Sequence, residues 1–99
     1  MITVEDIKRF AKDHPIGRGG KMTVIENKAV RISIVGGTSG LYGDFETDFE
    51  LAIMDIVTGD FITKFFLPEA NDDVVGYMSG PDLEKVIGSI IKDNDFQVR

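Results

Sequence analysis

Apolar and polar residues recur along this chain with two different periods, and the change from one to the other marks out its elements. Near the start, Val4, Ile7, Phe10 and Ala11 return every three to four residues while Lys8, Arg9 and Lys12 point elsewhere, the period of one helical face. Thr3 followed by Asp6 reads as a capping box, and Ile2 with Ile7 as a hydrophobic staple. His14-Pro15 stops the helix, because the residue before a proline is pushed out of the helical region. The spacing predicts a helix over 3–13. Towards the other end, Leu83, Val86, Ile87, Ile90 and Ile91 keep the i, i+3, i+4, i+7, i+8 pattern of a core-facing stripe. Ser79-Gly80-Pro81-Asp82 opens this second helix, with proline in its first turn and an acid at the positive dipole end. Asn94 suits its C-terminal cap, and the tail to Arg99 is expected to fray.

Between the helices the period is two. A strand is expected at 22–26, then a turn at Asn27-Lys28, then a second strand at 29–35 with Val30, Ile32 and Ile34 on one face and Arg31 and Ser33 on the other. The longest regular segment, 44–57, puts Phe45, Phe49, Leu51, Ile53 and Val57 on one side and Glu46, Asp48 and Glu50 on the other. A helix would scatter both sets, so a strand is expected. Thr58-Gly59-Asp60 reads as a hairpin turn, with Gly59-Asp60 as a type II′ pair that sets Asp55 opposite Lys64. A fourth strand returns over 61–67 and stops at Pro68, and 74–78 is a short fifth. The order is α-β-β-β-β-(β)-α. With no helix between strands there is no βαβ unit, so the fold class is α+β: an antiparallel sheet of four to five strands flanked by N-terminal and C-terminal helices.

Composition narrows the picture. Ninety-nine residues, 42% of them apolar and 28% charged, fit one globular domain spanning 1–99. No cysteine is present, which removes disulfides and thiolate metal sites and fits a reducing cytoplasm. No apolar run approaches the roughly 20 residues of a membrane span, and the first residues lack the marks of a signal peptide; a cytoplasmic protein is expected. The net charge of −6 is uneven. Residues 1–43 hold seven basic and four acidic groups, a net of +3, whereas residues 44–99 hold four basic and thirteen acidic, a net of −9. Direct nucleic-acid binding is thereby disfavoured, and a partner with a basic surface is favoured.

The tempting motifs lack their context. Gly36-Gly37-Thr38-Ser39-Gly40-Leu41-Tyr42-Gly43 superficially resembles the nucleotide-binding turn of short-chain dehydrogenases, but a strand rich in acids follows where a helix must face the pyrophosphate. Gly17-Arg18-Gly19-Gly20-Lys21-Met22-Thr23 has Pro15 and Met22 where a P-loop needs glycine and Ser or Thr. Asp44, Glu46, Asp48 and Glu50 lack the glycine turn of a calcium loop, because Phe49 stands in its place. His14 is the one histidine, and there is no cysteine nucleophile, Gly-x-Ser-x-Gly elbow or HExxH. No catalytic, cofactor or metal residue is assigned, and a non-enzyme is expected.

One surface resists a purely structural explanation. The second face of the long hairpin is acidic from Glu46 through Glu50 and then apolar at Ala52, Met54 and Ile56, with Phe61, Phe65 and Leu67 added by the returning strand. An apolar patch beside a carboxylate row is the make-up of a steered protein-binding surface. Asp44, Glu46, Asp48, Glu50, Met54, Ile56, Phe61 and Phe65 are therefore the candidate partner-binding residues. Carboxylates two residues apart on a strand stand about 6.5–7 Å apart, near the phosphate spacing of a nucleic-acid strand. The expected function is a small acidic inhibitor or adaptor that docks a basic, nucleic-acid-handling protein. An anti-defence protein of the DNA-mimicking, anti-CRISPR-like kind that phages and mobile elements encode is consistent with this. The alternatives are a homo-oligomeric assembly protein, which makes a homodimer a possible state, and a small enzyme or ligand-binding domain.

Overall fold

Thr3 and Asp6 hold the first helix shut at its start. The Thr3 hydroxyl accepts from the Asp6 amide at 3.2 Å and the Asp6 carboxylate accepts from the Thr3 amide at 3.0 Å, which satisfies two donors that a helix start leaves open. The computed structural model describes residues 2–15, 19–37, 43–91 and 95–99. In it α1 runs Val4–Arg9, shorter than the predicted 3–13. Phe10 caps it, and Lys12–Asp13 is drawn off as a two-residue strand, β1, that pairs with Met22 and Lys21. Pairing with a strand edge satisfies these backbone groups, so the helix ends before the proline is reached.

Next come β2 (Lys21–Glu26) and β3 (Val30–Gly36), a hairpin whose turn is fixed by the Asn27 side chain accepting from the amides of Ala29 and Val30, both at 2.8 Å. β4 is Asp48–Asp55, a shorter strand than 44–57. Its expected first residues form a turn instead, since Asp44 accepts from the amides of Glu46, Thr47 and Asp48, and Phe45 sits at φ +62°. At the far end Val57 is 83% exposed rather than in the core, because the Asp55 carboxylate accepts from the amides of Val57 and Thr58 and bends the chain away.

The fourth predicted strand is not one. Only Phe61 keeps a bridge, to Met54, and Thr63–Phe66 is a short helix, α2. Ile62 and Phe66, four residues apart, both pack on the core, and a helical turn puts such a pair on one side where a strand would also do so only at the cost of burying Lys64 with them. The Asp55–Lys64 pair does not form, since the Asp55 amide donates to the Asp60 carbonyl and Lys64 is exposed on α2. The place beside β4 is taken by β5 (Val74–Ser79). β5 leads straight into α3 (Gly80–Ile90), capped by Ser79 with Pro81 in the first turn. The Asn94 cap lies outside the described residues. The tail does not fray: β6 (Gln97–Val98) pairs with β2, and Arg99 exchanges backbone bonds with Val24 at 2.7 and 3.2 Å.

All pairs are antiparallel, in the order β1-β2-β3-β4-β5, with β6 beside β1 on the outer edge of β2. One face buries Thr23, Ile25, Ile32, Ile34, Phe49, Leu51 and Ile53 completely, against Ile7 of α1 and Leu83, Ile87 and Ile90 of α3. The α+β class thus holds, with a terminal helix from each end of the chain on one side of the sheet.

A candidate interaction face

Alternation decides what lies on the other side. Since Thr23, Ile25, Ile32, Ile34, Leu51 and Ile53 point to the core, the residues between them point away. The pairing register arranges those residues in rows across the sheet. Glu26, Arg31 and Met54 make one, extended by Phe61; Val24, Ser33, Ala52 and Val74 make the next; Lys12, Met22, Val35 and Glu50 make the third. Among the described residues no helix packs on this face. Two adjoining hollows, of about 240 and 380 Å³, run over it and share Arg31, Ser33 and Met54. Their floor is mostly apolar, from Met22, Val24, Val35, Ala52, Met54 and Val74. Val35 is only 5% exposed, whereas the residues around it are half-buried.

Charge is divided across the strands. On the β2 side the Glu26 carboxylate accepts from Arg31 at 2.7 Å and from Arg99 at 3.0 Å, and Lys12 lines the same hollow, leaving three cations around one anion. On the β4 side Glu50 lines the other hollow together with His14, and Asp48 begins the strand. Next to Glu50 the ladder is irregular. Phe49 pairs with Met78 but Leu51 with Val75, so Gly76 and Tyr77 stand against Glu50 alone. Tyr77 takes φ +54° there and is 68% exposed, the local kink of a β-bulge on the sheet's edge strand.

Of the eight predicted residues, the structure gathers Glu50, Met54 and Phe61 on this face and disperses the others. Asp44 is a turn residue whose carboxylate is held well below the usual range, chiefly by the Glu46, Asp48 and Thr47 amides that donate to it. Glu46 is exposed and reaches Lys8 of α1 at 3.3 Å. Asp48 accepts from the Asp44 amide at 2.8 Å. Ile56 is half-buried beyond β4, with its amide on the Ala29 carbonyl. Phe65 is 80% exposed on α2, edge-on to Phe66 at 5.2 Å. Strand spacing of carboxylates therefore extends over Asp48 and Glu50 only.

Sequence reasoning missed Met22, Val24 and Val35 as part of this surface. A signal was present: Met22-Thr23-Val24-Ile25 and Ile34-Val35 are apolar or nearly so at successive positions, the mark of a strand with little water on either face. Lys12, Arg99 and His14 could not have been found, since pairing across distant segments brings them there. His14 lies beside the sheet because its amide bonds the Gly20 carbonyl at 2.9 Å.

Among the described residues no group of three or more histidines and carboxylates is placed to hold a metal ion, and no helix is long and apolar enough to cross a membrane. No family model, curated protein or solved structure matches the chain.

Proposed function

We propose that this chain is a non-enzymatic protein-binding module, an inhibitor or adaptor that docks a partner with a basic surface through the sheet face on which no described helix packs and the acidic flank beside it. The observation that carries the reading is the face itself, an apolar floor three rows deep with no described helix upon it. Apart from the buried Val35, its floor residues are half-buried, with Phe61 exposed at the edge, and an apolar surface rimmed by charge is a mark of docking sites. The flank supplies steering through Asp48 and Glu50, which share the strand parity of Ala52 and Met54 on β4. Asp48 and Glu50 stand about 6.5–7 Å apart, so a protein that handles nucleic acid could seat them where it seats successive phosphates. The lack of cysteine is compatible with the cytoplasm as its compartment.

The test compares proteins captured from the native host by the wild-type chain, by Met54→Glu, by the pair Asp48→Ser and Glu50→Ser, and by Val57→Glu as an exposed control. The expected outcome is loss of a basic partner with the first two and retention with the last. Capture that is indifferent to all three would overturn the reading. A second reading, a ligand-binding domain, is favoured by one observation: His14, Ser33 and Glu50 bring polar groups into the 240 Å³ hollow. Saturable shifts of His14 ring resonances on titrating small metabolites would select it.

A further inference from the structure

The third row of the face has a symmetry of its own. Across the sheet it reads cation, apolar, apolar, anion: Lys12, Met22, Val35, Glu50. The first row holds Glu26 beside Arg31, again opposite charges on β2 and β3. A two-fold axis parallel to the strands and passing between β2 and β3 would turn each row onto itself. Lys12 of one copy then meets Glu50 of the other, Met22 meets Val35, and Glu26 meets Arg31. A two-fold axis across the strands does not do this, because it sets cation on cation.

We propose that the partner seated on this part of the face is a second copy of the chain, packed sheet to sheet about that axis. The inference rests on the reading of this sheet face as the working surface. Sheets packed face to face keep their strands within about 30° of one another, which preserves the rows. Three rows of β2, β3 and β4, edged by Lys12 and Arg99, make a face of roughly 19 by 20 Å, which is below the size of a stable specific interface, so the dimer is weak and forms only at high concentration. The net charge of −6 on each copy opposes approach, but it is screened beyond about 8 Å at physiological ionic strength, whereas Lys12 and Glu50 meet at contact. Phe61 and Val74 fall outside the overlap, whereas Met54 and Glu50 lie within it, so a second copy and a basic partner compete for the same floor.

Sedimentation equilibrium over a wide concentration range tests this with the wild type, Lys12→Glu, Glu50→Lys and the double variant. Each single reversal sets like charges against each other and is expected to weaken the dimer about tenfold or more, while the double restores it to within about threefold. Within one chain the two residues lie three strand spacings, about 14 Å, apart, and any internal contact of Glu50 is lost equally in Glu50→Lys and in the double. Restoration therefore reports contact between copies. A monomer at all concentrations, a dimer indifferent to the single changes, or a double as weak as the singles would each overturn the proposal. A strict monomer whose Met54→Glu variant still loses the basic partner would overturn the dimer alone and leave the binding face standing.

Discussion

Asp44 shows how one side chain can redirect a segment whose pattern promises a strand. Its Oδ1 accepts from three successive amides at 2.8, 2.8 and 3.1 Å, and Thr47 donates its hydroxyl to Oδ2. These bonds favour the ionised carboxyl and draw its pKa below the ordinary value of 3.8. A carboxylate depressed in the folded state contributes stability above the unfolded value and loses it as pH falls through the folded one. Asp44→Ala is therefore expected to melt at a lower temperature than wild type at neutral pH, with the gap closing in strong acid. Asp44→Asn keeps the acceptor oxygen and should fall between the two, and thermal melts from pH 7 down to pH 2 check both. Alternation made Asp44 and Glu46 look like strand residues, because the pattern of polar positions is the same for a strand and for a turn that borrows its own side chains.

At the scale of elements, the exchange of a predicted strand for α2 hangs on Thr63. Its hydroxyl is completely buried, accepts from the Ile53 amide at 2.9 Å and donates to the Asp73 carbonyl at 2.6 Å. Thr63 thus supplies β4 with a bond that a neighbouring strand would have supplied, and it ties the start of β5 to the same point. Thr63→Val keeps the shape and removes both bonds. It is expected to cost about 1–3 kcal/mol, since buried backbone groups lose their partner, measured by urea denaturation. The helices α1 and α3 were legible because their caps and apolar stripes are local. The segment 61–67 was not, because its apolar run suits either period and the choice depends on what β5 brings alongside.

For the whole molecule, the sheet divides neighbours in sequence between two environments. Ile53 is fully buried under the helices, whereas Met54 lies on the open face. Ile53→Ala is expected to cost about 2–5 kcal/mol through the cavity it leaves, and Met54→Ala less than about 1 kcal/mol, both read from chemical denaturation. The sequence alone determined the class of fold, the two capped helices, the β2–β3 hairpin and the buried parity of β4, because periodicity and capping are written in residues a few places apart. It also identified Glu50, Met54 and Phe61 as surface residues of interest. Which strand lies beside β4, where the tail goes, and how Lys12, Arg99 and His14 come to border an apolar floor were decided by tertiary structure. Those contacts join segments tens of residues apart, and they are chosen by competition for the same sheet edges and the same core, which no local pattern records.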